Sequence, residues 1–146
     1  MIVVATESHR DDLLLRLHAH GLDMAAAIEQ RRYIALDASE TASAVMVNDL
    51  PDPDRLFKVT SDLITEIAKA ANVKPACIAT CGDVAPLLLQ QGKAQAAIQL
   101  ERLWYAIAKS YGLNVLCAYP LVSFQGGVGS HIFEKMCSEH SAFCSR

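Results

Sequence analysis

A chain of 146 residues and 15.8 kDa has room for one domain, spanning 1–146. Hydrophobic residues make up 52% and charged residues 20%, which excludes intrinsic disorder. The net charge of −3, from 13 basic and 16 acidic residues, excludes a dedicated nucleic-acid surface, because phosphate neutralisation needs clustered Lys and Arg and only Arg31 and Arg32 are adjacent.

Met1–Thr6 is a short apolar, β-branched run that reads as a buried strand. Ser8 is placed to cap a helix whose first turn carries Asp11 and Asp12 and which stops at Gly21. Asp23 caps a second, short helix to about Gln30, and Tyr33–Leu36 is the second strand. Ser39 with Glu40 opens a helix to about Val47, followed by the Pro/Asp turn cluster Asn48–Pro53. From Asp54 to about Ala71, Leu56, Val59, Leu63, Ile64 and Ile67 share one helical face. Pro75–Thr80 reads as the third strand, then Cys81-Gly82-Asp83 and a short helix through Leu89. A longer helix, about Lys93–Tyr111, carries Ala97, Leu100, Trp104, Ile107 and Tyr111 on one stripe. Leu113–Ala118 is the fourth strand, Gln125–Ser130 a flexible connector, and His131–His140 the last helix.

Strand and helix alternating at this spacing predict an α/β fold: a three-layer, open, mainly parallel sheet of about four strands with crossover helices. No uninterrupted apolar window approaches the length of a membrane span. No charged segment followed by a long apolar run stands at Met1, so export is not expected. Five widely spaced cysteines read as reduced thiols of a cytoplasmic protein.

In open parallel sheets ligands lie beyond the carboxyl ends of the strands. Here those ends carry Thr6-Glu7-Ser8-His9, Asp37-Ala38-Ser39-Glu40, Cys81-Gly82-Asp83 and Tyr119-Pro120. No phosphate loop is present, and Gly126-Gly127-Val128-Gly129-Ser130 lacks the lysine that reaches terminal phosphates, so nucleotide hydrolysis is not expected. Cys77 and Cys81 on one strand would stand about 13 Å apart, too far to share a zinc ion. Cys137, His140 and Cys144 fall on one face of a continued helix, with His131 as a fourth donor, which keeps a zinc or thiol switch open as an alternative. Cys81 reads either as a core thiol or as an exposed one whose pKa a helix start would lower. Glu101, at the edge of an apolar stripe, needs a partner from another element, whether a structural hydrogen bond or a ligand.

The segment Cys81–Pro120 carries Gly82-Asp83, Leu87-Leu88, Gly92 with Ala96-Ala97, Leu100-Glu101-Arg102-Leu103-Trp104 and Leu116-Cys117-Ala118-Tyr119-Pro120. In these motifs it resembles the MEDS domain, the sensory module of the dichloromethane-dehalogenase regulator and of many bacterial and archaeal histidine kinases. Val3-Val4-Ala5-Thr6 with His9-Arg10, Gly21-Leu22-Asp23, Tyr33 through Leu36-Asp37-Ala38, and Cys137-Ser138-Glu139-His140-Ser141 extend the resemblance over nearly the whole chain. The resemblance implies a RecA/KaiC-like fold without a working phosphate loop. It also implies a domain that binds small hydrocarbon-derived ligands and signals to an output module.

Glu7 is similar in place to the catalytic glutamates of KaiC-type ATPases and reads as a relic of them. Asp83 stands where the family has Glu, and the family's usual strand and helix before Met1 are absent. The sheet edges this leaves open lead to an expected pairing of two chains. The expectation is therefore a non-catalytic cytoplasmic sensory domain that needs no cofactor and no metal. Its ligand would be bound by Glu7, His9, Asp83, Glu101, Trp104 and Tyr119. Its partners would be a small molecule, a second copy, and an output protein such as a histidine kinase or transcription regulator. A degenerate RecA-like nucleotide binder is the other alternative.

Overall fold

The computed structural model describes residues 1–71, 78–120, 127–138 and 140. The first strand, β1 (Ile2–Ala5), runs through the single residue Thr6 into helix α1 (Glu7–Ala19). Helix α2 (Met24–Glu29) follows, capped as expected by Asp23, whose carboxylate accepts from Ala26 N at 3.0 Å. Strand β2 (Ile34–Asp37) leads without a gap into α3 (Ala38–Val45). Then come the two-residue strands β3 (Met46–Val47) and β4 (Leu50–Pro51), and the long helix α4 (Pro53–Ala71). Strand β5 (Ala79–Gly82), helices α5 (Val84–Gln90) and α6 (Ala94–Tyr111), strand β6 (Asn114–Cys117) and helix α7 (Gly127–Ser138) complete the described chain.

The main sheet is wholly parallel in the order β2-β1-β5-β6. The register aligns Ile34, Ile2, Thr80 and Val115 in one row, and Leu36, Val4, Gly82 and Cys117 in the next. Side chains alternate across a strand, so these two rows share a face. The larger core forms on that face, where Ile2 packs with Val45, Leu56, Ile64 and Ile67 from α3 and α4, and with Leu88, Ala97 and Leu100 from α5 and α6. The opposite face carries a smaller cluster, Val3 and Ala5 with Met24 and Tyr33, over which α1 lays Leu13, Leu14 and Leu17. Helices thus flank both faces of the sheet. No helix among the described residues is long and apolar enough to cross a membrane.

Several boundaries differ from the sequence reading, each for a local reason. Asp37, not Ser39, caps α3, because β2 runs directly into the helix; its carboxylate accepts from Ser39 N at 2.8 Å and Glu40 N at 3.0 Å. Ser8 likewise lies inside α1, and Thr6 holds the cap position with extended backbone. The turn cluster Asn48–Pro53 is part of a β-hairpin: Asn48 and Asp49 take φ of 50° and 63°, the left-handed pair that a two-residue loop between twisted strands requires. The strand expected over Pro75–Thr80 is β5, which begins at Ala79 and ends two residues later than expected, placing Cys81 and Gly82 within it; residues 75–77 fall outside the described set. The connector expected over Gln125–Ser130 is already helical from Gly127. Gly112 ends α6 in the left-handed conformation at φ 67°, as a helix stop requires.

One carboxylate, that of Asp37, satisfies two orphan N–H groups and lies 3.6 Å from the Arg10 guanidinium. Replacing Asp37 by Ala is expected to cost about 1–2 kcal/mol, with Asp37→Asn losing less. Urea denaturation followed by circular dichroism measures both.

Candidate functional site

The chain leaves β1 toward one face of the sheet, through α1, and leaves β5 toward the other, through α5. The topological switch point therefore lies between these neighbouring strands, the place where open α/β sheets usually receive ligands. Here it is stitched shut. Asp83 N donates to Val4 O at 2.7 Å, Thr6 N donates to Asp83 Oδ2 at 3.4 Å, and His9 Nδ1 lies 2.6 Å from the same oxygen. His9 is 63% exposed, so the pair bridges the crevice from outside. Glu7 is exposed in the first turn of α1, where its charge suits the helix start. Three of the six expected ligand-binding residues, Glu7, His9 and Asp83, thus sit at the closed switch point.

The other three gather under the sheet's far side. Glu101 lies on the α6 stripe that packs on the sheet, and is only 6% exposed. The helix cannot turn it outward without unburying Ala97, Leu100 and Ile107, which share its packed surface. Partners come to it instead. Tyr119 donates its hydroxyl to Glu101 Oε1, and the Cys117 thiol donates to Oε2 at 3.5 Å. Cys117 and Tyr119 are two residues apart, the spacing that puts both side chains on one side of an extended segment. Burial, and then the Glu101 carboxylate, push both the thiol and the phenol well above their ordinary pKa ranges. Both are held as neutral donors around one acceptor.

His140 joins this cluster from beyond α7. Its N–H donates to Cys137 O at 3.1 Å, and its ring Nδ1 donates to Met136 O at 2.7 Å. Nε2 then faces Glu101 Oε2 at 3.4 Å, and the ring meets Tyr119 edge-on at 6.3 Å. One donor atom from each of Glu101, Cys117 and His140 falls within 4.8 Å of the others. Of the zinc set read from the sequence, Cys137 lies on α7, which ends at Ser138, His140 lies just beyond it, and Cys144 lies outside the described residues.

Beside Glu101 a cavity of about 70 Å³ opens between the sheet and helices α3, α4, α5 and α6. Val4, Leu36, Val59, Leu63, Leu100 and Trp104 supply most of its apolar wall. Thr80, 2% exposed, faces it from β5, and its hydroxyl has no hydrogen-bond partner among the described residues. A second, outer cleft of about 360 Å³ approaches from solvent, and Glu101, Trp104 and Cys117 line both spaces. Cys81 is not the exposed thiol that a strand end would offer. It is half-buried in β5, and burial raises its pKa, with Asp83 adding to the effect.

Sequence reasoning named Glu101, Trp104 and Tyr119 but passed over Cys117 and Thr80. The i, i+2 relation to Tyr119 was the signal available for Cys117. For Thr80 it was a lone hydroxyl in an apolar run. Comparison with family models, with curated proteins and with solved structures gives no match.

Tyr119→Phe leaves a buried carboxylate one hydrogen bond short and is expected to cost about 1–3 kcal/mol. His9→Ala at the exposed pair is expected to cost under about 1 kcal/mol. Equal losses in urea denaturation would contradict this division of the two sites.

Proposed function

We propose that the chain is a non-catalytic sensory domain of the MEDS type, working in the cytoplasm. It takes a small hydrocarbon-derived molecule into the cavity beside Glu101 and passes occupancy to an output protein such as a histidine kinase or a transcription regulator. The observation that carries this reading is the cavity itself: about 70 Å³, apolar-walled, with a Thr80 hydroxyl that has no partner among the described residues.

Apolar cavities of this kind stay poorly hydrated and accept small apolar molecules. A buried hydroxyl without a partner is costly, and a ligand with one polar atom relieves that cost. The two features together favour a ligand of a few heavy atoms, apolar apart from a single heteroatom. Trp104 and Glu101 shape the wall, and Tyr119 holds Glu101 in place. Binding shifts the population toward the packing in which α4 and α6 close on the ligand, and an output surface reads that packing.

A RecA/KaiC-like ancestry belongs to the same proposal, supported by a parallel sheet with helices on both faces. So does pairing of two chains along β6. That strand ends the sheet among the described residues, and its Leu116 is 67% exposed. Sedimentation of a monomer at working concentration would remove that part of the proposal.

The central test is thermal unfolding with dichloromethane, short alcohols and, separately, Mg-ATP. A ligand at 100 times its dissociation constant adds about 2.7 kcal/mol, a rise of roughly 5–10 °C for a chain of this size. Thr80→Val is expected to raise the stability of the free protein and to remove any preference for an alcohol over a hydrocarbon of equal size. At Gly82 an added Cβ meets only Val4 O at 3.5 Å and Val4 Cβ at 3.8 Å, ordinary contacts. Gly82→Ala is therefore expected to fold normally while halving the ligand-induced rise. A rise with nucleotide and none with the small organic compounds would overturn the sensory reading.

A further inference from the structure

The arrangement at His140 leaves one buried ring nitrogen without a hydrogen-bond partner among the described residues. The Met136 carbonyl can only accept, so the hydrogen it shares with His140 sits on Nδ1, and in the neutral ring Nε2 presents its lone pair. That atom points at Glu101 Oε2, itself an acceptor, across 3.4 Å, outside hydrogen-bond geometry. Cys117 Sγ stands 3.5 Å from the same oxygen. Without a cation the Cys117 thiol and the Tyr119 phenol are the donors to Glu101, and His140 Nε2 is left over; a cation among Oε2, Sγ and Nε2 gives that nitrogen a partner and takes the place of the thiol proton.

We propose that Glu101, Cys117 and His140 bind a divalent transition-metal cation of the zinc class. Zinc takes S, N and O donors at about 2.3, 2.0 and 2.1 Å, which in a tetrahedron sets the donors about 3.3–3.6 Å apart. The two separations to Glu101 Oε2, 3.4 and 3.5 Å, match, and the third, between Cys117 and His140, lies within 4.8 Å, so a small side-chain movement closes the set on the ion. The surroundings match as well. Metal-bound histidines characteristically give their other ring N–H to a carbonyl, as His140 does to Met136, and ligating carboxylates are themselves hydrogen-bonded, as Glu101 is by Tyr119.

On binding, the Cys117 S–H bond breaks, its proton leaves to solvent, and the sulfur pair goes to the metal. Thiolate and carboxylate together then neutralise the dication. Three protein ligands leave one position open, facing the outer cleft from which the metal and any exogenous ligand would arrive.

The test uses the full chain, stripped with chelator and titrated with cobalt(II) or zinc(II) alone, without any organic ligand, so its outcome is separate from that of the sensory reading. The expected result is one equivalent of cobalt, with the visible bands of a tetrahedral ion and a thiolate-to-metal charge-transfer band, displaced by zinc. Cys117→Ser is expected to abolish the charge transfer, and His140→Ala to weaken binding at least about tenfold. Cys81→Ser and Cys137→Ser are expected to change neither. Serine is close to cysteine in size, and the wild-type stoichiometry stands whether or not a variant folds. No stoichiometric uptake by the wild-type chain at micromolar metal overturns the proposal and leaves an imidazolium–carboxylate pair. A spectrum lost in Cys137→Ser but kept in Cys117→Ser overturns it in favour of a Cys137-centred site.

Discussion

A carboxylate at 6% exposure sets the terms for the C-terminal half of this molecule. An ionisable group removed from water must be surrounded by donors or cations, or its desolvation outweighs the packing around it. Glu101 cannot move, because the residues beside it on α6 are the core. The end of β6 with the residues just after it and the residue beyond α7 therefore converge on it, bringing Cys117, Tyr119 and His140 from two separate stretches of chain. That convergence ties β6 and α7 to the middle of the fold by polar contacts. The apolar contacts there are thin: outward-facing residues of β6 such as Leu116 remain uncovered.

The closed switch point is the complementary fact. In an open α/β sheet the crevice between the two central strands exists because their following helices go to opposite faces. Here the helices do separate, yet Asp83 reaches across to Thr6 N and His9. A carboxylate that spans the crevice occupies the room a ligand would use. The hollow appears instead under the sheet, where two small residues, Gly82 and Ala85, share the lining with Leu56, Val59 and Leu63 of α4.

Legibility from the sequence followed the physics of each feature. The four parallel strands and the long helices α4 and α6 were readable because periodicity over many residues integrates a weak signal. Cap identity at Ser8 and Ser39 was misjudged because it turns on whether a strand runs directly into its helix, a matter of one residue. Glu101 stood out as a charge on an apolar stripe, and so did its need for a partner. Which partner could not be read: His140 comes from beyond α7, and no local pattern encodes that α7 packs on α6. Glu7, His9 and Asp83 were grouped with it on a general rule about strand ends, and the rule does not register that the crevice has been bridged.

Trp104 stands in the thin wall between the inner cavity and the outer cleft, and it is the chain's single tryptophan. Nearly all the red-shifted near-ultraviolet emission of this protein therefore originates from one partition, a few side chains thick. Its colour and intensity register the polarity on both sides at once and the thiol and carboxylate that share the wall. The molecule carries its own optical probe at the place where its interior meets solvent.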